Sequence, residues 1–221
     1  MEDVGHSEAN ERRPGAMSDK RRGRVGLEIS REAARLFWEQ GVDGTTGEQI
    51  ADAVGLSERT IWRYFRNKES CAEPVLSQDI GEFVAVLRCW PRELSLEEHL
   101  VEWATSRSQE SEQQSYDLAV MRMMVLAETE PALRTAWLMA CDRAEHELIG
   151  IIADRLRRPA EDLEVRLHAA AVISVVRVID EHGSAAILSG ADPNASGNLL
   201  ERMAQAMRAA TGGALGDPVQ S

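Results

Sequence analysis

The segment TTGEQIADAVGLSERTIWRYFRNKE, from Thr45 to Glu69, constrains this chain most, because its spacing admits two short helices joined by a tight reversal. Ile50 and Val54 lie four apart and share one helix face. Ala51 is small enough for a second helix to cross closely above it. Gly55 supplies the reversal, since glycine turns left-handed without a Cβ clash. Leu56 plugs the corner, and Ser57 is placed to cap the next helix. In that helix, Glu58 to Phe65, Ile61 and Phe65 point inward at i,i+4. The outward set is Glu58, Arg59, Thr60, Trp62, Arg63 and Tyr64. Guanidinium forks, a hydroxyl and an aromatic ring on one helix suit a DNA major groove.

A preceding helix, Leu27 to Gln40, completes a three-helix unit, with Ile29, Ala33, Leu36 and Phe37 inward and Gly41 as its stop. Upstream, Lys20, Arg21, Arg22 and Arg24 form a basic cluster placed to meet phosphates or a minor groove. A small helical subdomain with a solvated charged face would account for any one of these features. Three of them in this order favour a DNA-reading head.

Thr45-Thr46, Ile50-Ala51, Gly55-Leu56-Ser57, Thr60 to Phe65 and Asn67-Lys68-Glu69 together resemble the tetracycline-repressor (TetR) family of one-component regulators. The resemblance implies that Thr46 caps the second helix and touches a phosphate. It implies that Thr60, Trp62 and Arg63 face the groove, and that Tyr64 and Lys68 grip the backbone. It also implies an all-α fold, a helical sensor body, and a homodimer on a palindromic double-stranded operator. Repression is that family's habit. Two positions depart from the pattern. Gly47 stands where the family usually has an apolar core residue, which is expected to loosen the start of the second helix. Pro74 falls inside the expected connecting helix and predicts a kink or a delayed start.

Charge agrees with this division. The net charge of −12 argues against a nucleic-acid partner until its distribution is considered. Residues 17–70 carry ten Lys/Arg against nine Asp/Glu, whereas residues 71–221 carry thirteen against twenty-four. A near-neutral head with clustered cations can bind DNA while an acidic body stays away. The expected domains are a disordered extension at 1–19, the helix-turn-helix domain at 20–70, a ligand-binding and dimerisation domain at 71–211, and a disordered tail at 212–221. Cys71, Cys89 and Cys141 form no CxxC pair and read as small buried hydrophobes of a reduced, cytoplasmic protein. No apolar run suits a membrane span or an export signal.

Beyond residue 70 the chain reads as helices. Ser95 and Glu98 form a capping box. Leu118 to Ala127 holds one polar residue, Arg122, so that helix is expected to be central. Pro131 suits the first turn of a helix whose inner face is Leu133, Trp137, Ala140, Ala144, Leu148 and Ile152. Further helices are expected at Glu161–Leu188 and Asn194–Ala210. Leu167, Ala171, Ser174, Val175 and Val178 on the first, with Leu199, Leu200, Met203 and Met207 on the second, are the expected dimer seam.

Trp103, Met121, Arg122, Met124, Arg134 and Trp137 are the candidate effector site, with Arg122 or Arg134 on the charged end of a hydrophobic, anionic small molecule. Core packing and an internal salt bridge of Arg122 to Asp117, Glu128 or another acid are the competing reading. The stretch Met123 to Arg134 is similar to a TetR subgroup whose sensor domains are described as acyl-CoA-like ligand-binding. Catalytic, metal and cofactor sites are not expected: His146-Glu147 lacks the second histidine, since Gly150 occupies its place, and no GxSxG, P-loop or GxGxxG is present. The alternative function is a helical interaction module or an enzyme on a scaffold that merely carries a helix-turn-helix.

Overall fold

The computed structural model describes the backbone of residues 14–107, 111–192 and 198–219, and the side chains of 21–106, 117–192 and 198–219. Among these residues the secondary structure is helical, without strands. Helix α1 spans Pro14–Gln40 and buries Ile29, Ala33, Ala34 and Phe37. It therefore starts earlier than the apolar periodicity predicts, and residues 14–19 of the supposed disordered extension are helical. Residues 1–13 lie outside the described residues. Gly41, at φ 80°, stops the helix in the left-handed region that favours glycine. Helices α2 (Gly47–Ala53) and α3 (Glu58–Tyr64) pack on α1 through Ile50, Ala51 and Ile61.

The delayed start predicted from Pro74 is present. A 3-10 turn at Glu69–Ala72 precedes α4 (Glu73–Arg88), with Pro74 in the first turn, where its missing N–H costs nothing. The neighbouring Val75 N–H donates to the buried Ser30 hydroxyl at 3.1 Å, so α1 satisfies one of the orphan donors of α4. That bond joins head to body.

The body consists of α4, α5 (Leu96–Arg107), α6 (Ser111–Leu126), α7 (Pro131–Leu156), α8 (Leu163–Leu188) and α9 (Leu199–Ala210). Ser95 and Glu98 cap α5 reciprocally, with Glu98 N donating to Ser95 Oγ at 3.2 Å and Ser95 N to Glu98 Oε2 at 2.8 Å. The near-continuous apolar run puts α6 against α1, α4, α7 and α8, which is the central place its composition requires. All six predicted inward residues of α7 are buried. Each large one contributes about 1.5–3 kcal/mol of transfer free energy.

Three expectations are corrected. The tail is not disordered over 212–219. Leu215 is buried, Leu96 N donates to Gly216 O at 2.9 Å, and Val219 N to Arg92 O at 2.8 Å. Gln220 and Ser221 lie outside the described residues. Met203 and Met207 face the core of the subunit, at 5% and 0% exposure, because α9 packs on both α5 and α8. Cys89 is exposed, while Cys71 and Cys141 are buried as expected, their thiols pushed up to about 12 chiefly by desolvation.

Candidate nucleic-acid interface

Thr46 caps α2 by accepting from Gln49 N at 3.2 Å, while Gln49 Oε1 accepts from Thr46 N at 2.8 Å. Thr-x-x-Gln is the sequence signal of this capping box. Gln40 Nε2 donates to Gln49 Oε1 at 2.9 Å, which ties the end of α1 to the same corner. Gly55 adopts φ 65°, and the chain reverses with Leu56 N donating to Ala51 O at 2.9 Å. Ser57 then caps α3 by accepting from Thr60 N at 3.3 Å.

The outward face of α3 is as the spacing predicts. Glu58, Arg59, Trp62 and Arg63 are exposed, and Thr60 is half-buried with its hydroxyl 2.8 Å from Ser57 Oγ. Trp62 retains 40% exposure, yet its indole lies over Gly47, where a Cβ would stand 2.1 Å from Trp62 Cζ2. Gly47 thus does not loosen α2; it makes room for the indole. Tyr64 is half-buried, with the guanidinium carbons of Arg22 and Arg63 at 5.6 and 5.8 Å from its ring centre. Arg22 also donates to Arg63 O at 3.4 Å. The basic N-terminal part of α1 is thereby fastened beside α3, with Arg24 exposed.

Lys68 is placed differently from its expected role. Its ammonium donates to Val42 O at 2.7 Å and Thr45 O at 3.0 Å, closing the α1–α2 loop. The ammonium thus bridges two carbonyls of the loop that follows α1.

The residues expected at the effector site have these surroundings among the described residues. Trp137 is fully buried and donates through Nε1 to Glu181 at 2.9 Å. Arg134 pairs with the same carboxylate at 2.5 Å, and Arg177 reaches it at 3.3 Å. Arg134 and Glu181 also border a cleft of about 500 Å³ with Thr129 and Pro131, but there the arginine's charge is already matched. Met124 is buried, its sulfur accepting from Ser184 Oγ at 3.4 Å. Trp103 and Met121 are half-buried. Arg122 faces the head: its guanidinium lies 5.5 Å from the centre of the Trp38 ring on α1, and its Nε is buried without a hydrogen-bond partner. Among the described residues, no group of three His, Cys, Asp or Glu is placed to hold a metal. No described helix is long and apolar enough to cross a membrane.

On α8, Leu163, Leu167 and Val178 are 69%, 57% and 53% exposed. Ser174 is exposed, and Ala171 and Val175 are half-buried on the same stripe. Leu199 and Leu200 at the start of α9 are half-buried, with Leu199 packed close over Gly183.

Comparisons with known proteins agree with this architecture. Residues 29–75 match the family described as "Bacterial regulatory proteins, tetR family", and residues 96–212 match the "MftR C-terminal domain". The HTH-type transcriptional regulator TcmR of Streptomyces glaucescens is 32% identical over 170 residues, covering 75% of this chain and 74% of that protein. Two solved structures share the fold. One is assigned as a TetR-family transcriptional regulator from Mesorhizobium loti MAFF303099, with TM-score 0.54, 20% identity, and coverage of 87% of this chain and 97% of that one. The other is Salmonella enterica GusR, with TM-score 0.54, 18% identity, and coverage of 86% and 96%. With a head and a body that each match in order, and a relative spanning three quarters of its length, the chain belongs to the TetR family of DNA-binding transcriptional regulators.

Proposed function

We propose that this regulator is a homodimeric repressor that reads a palindromic operator and releases it when the body takes up a small-molecule effector. The capped helix α3 carries the reading, since Arg59, Trp62 and Arg63 stand in solvent beside the basic start of α1. Thr46, Glu58, Thr60, Tyr64, Arg22 and Arg24 complete the contact surface, with Tyr64 reaching a phosphate from between its two arginines. The exposed apolar stripe on α8 supports twofold pairing, because leucines this open in one row gain most by meeting their own copy. Two heads related by a twofold axis match two half-sites about one helical turn apart.

Effector control requires that a ligand bind the non-operator geometry better than the operator geometry. The links available for it are Ser30 to α4 and Trp38 to Arg122, both of which join α1 to the body. The test is fluorescence anisotropy of the full chain on palindromes from its own promoter region and on random DNA at physiological salt. The expected preference is at least about 10³-fold. Equal affinity for both would overturn the reading.

A further inference from the structure

Arg155 near the end of α7 is 7% exposed and makes no ion pair among the described residues. Its guanidinium carbon lies over Trp90, 3.2 Å from the ring centre. Four carbonyl oxygens accept from it: Trp90 at 3.5 Å, Pro91 at 3.4 Å, Leu94 at 3.4 Å and Asp217 at 3.2 Å. These are long for bonds from a cation, which close to about 2.7–2.9 Å on an anion. Desolvation, and then the charge of Arg92, bring the Arg155 pKa down to about 10. The cation is stabilised by carbonyls, by the Trp90 ring and by the charge of Glu93, and among the described residues no carboxylate meets it bidentately.

The surroundings add charge of the same sign. Arg155 borders a cleft of about 240 Å³ between the end of α4, the α4–α5 loop and α7, with Arg88 and Arg92 also on its walls. Arg88 pairs with Glu147, and Arg92 with Asp154, which is also on the wall, while the charge of Glu93 acts on Arg155 from nearby. On its inner side Arg155 borders an apolar chamber of about 20 Å³ lined by Leu96, Ile152, Val172, Met207 and Leu215. Trp90, Leu87 and Ile151 wall both spaces, which therefore adjoin.

Leu215 belongs to the tail and fills the chamber from outside. The tail is held by Leu215 N to Thr211 Oγ1 at 3.2 Å, Leu96 N to Gly216 O at 2.9 Å, Val219 N to Arg92 O at 2.8 Å, and the pair of Asp217 with Arg208 at 2.5 Å. Its backbone turns through Gly212, Gly213 and Gly216, all at positive φ. Such a segment opens locally at less cost than a helix.

We propose that the Arg155 cleft binds a small organic carboxylate with an apolar body, its carboxylate on the guanidinium fork and its body in the chamber that Leu215 now fills. The fork matches a carboxylate bidentately, which no single carbonyl does. Because α4 begins at the head and ends at this cleft, occupancy is positioned to reach α1 through Val75 and Ser30. The inference takes its biological meaning from the effector part of the proposed function. Its test omits DNA, so failure of either leaves the other standing.

The full chain is titrated calorimetrically with benzoate and hexanoate, and with benzyl alcohol and hexanol as neutral counterparts. Saturable binding of a carboxylate is expected, at least about tenfold tighter than its alcohol. Arg155→Met should remove that preference, and Leu215→Ala should tighten hexanoate by emptying the chamber. Hydrogen exchange on the unmodified protein should show 212–219 exchanging faster when hexanoate is bound. This readout stands even where Arg155→Met fails to fold. Equal affinity for acid and alcohol, no saturation, or binding that leaves the tail's exchange unchanged would overturn the proposal.

Discussion

Gly47 at the start of α2 lies directly beneath the indole of Trp62 on α3, so closely that a methyl group there would occupy the position of the ring. The glycine is a condition for the tryptophan. The indole is held on the surface proposed to face DNA by the backbone of the helix before it, and its 40% exposure is the edge left over.

Gly47→Ala should accordingly displace Trp62 and overpack the α2–α3 corner. The expected loss is about 1–3 kcal/mol of stability, together with weakened operator binding. Gly47→Ala combined with Trp62→Leu should recover the stability but not the operator preference. A double-mutant cycle by thermal unfolding and anisotropy reads both; additive effects on stability would show that the two residues do not interact.

Lys68→Met should act on the loop and not on a phosphate. Removing the donor to Val42 O and Thr45 O is expected to cost about 1–3 kcal/mol. Because no counterion is released by Lys68, the slope of log affinity against log salt should match that of the native protein. A slope reduced by about 0.9 would return Lys68 to the DNA contacts.

The apolar faces of α8 and α9 should behave oppositely. Leu167→Glu or Val175→Glu should give a folded monomer in sedimentation velocity, since the charge enters an interface between copies. Met203→Glu should instead unfold the subunit, seen as lost helical circular dichroism, because Met203 lies in its core. A Leu167→Glu protein that remains dimeric would place the interface elsewhere.

Asp180 on α8 has its carboxyl held well above the usual carboxylate range, first by desolvation and then by the charges of Asp79 and Glu181. A raised folded-state pKa means that the native protein binds a proton the unfolded chain does not. Stability from this group is therefore present at low pH and is lost as pH rises through the raised value. Asp180→Asn should raise the melting temperature near about pH 7, with the gain shrinking toward about pH 4, where the unfolded carboxyl protonates. A gain constant across that range would remove titration of Asp180 as its cause.

Short-range spacing determined the head. Ile50, Ala51, Gly55, Ser57 and Ile61 act within one or two helical turns, so their consequences follow from chain geometry before any distant contact forms. The start of α4 at Pro74 and the buried face of α7 were legible for the same reason. Only the tertiary structure decided where charges and ends found their partners. Lys68 meets carbonyls more than twenty residues away, Arg134 and Trp137 converge on Glu181, and Arg122 crosses to Trp38. Met203 and Met207 turn inward because α5 and α8 both pack against α9, which the stripe on α9 alone does not encode. The glycine-rich tail has the composition of a loose end, yet it is ordered as far as Val219, because Leu215 fills a chamber whose walls come from α5, α7, α8 and α9. Periodicity tells which face of a helix is apolar; only the assembled chain decides what that face meets.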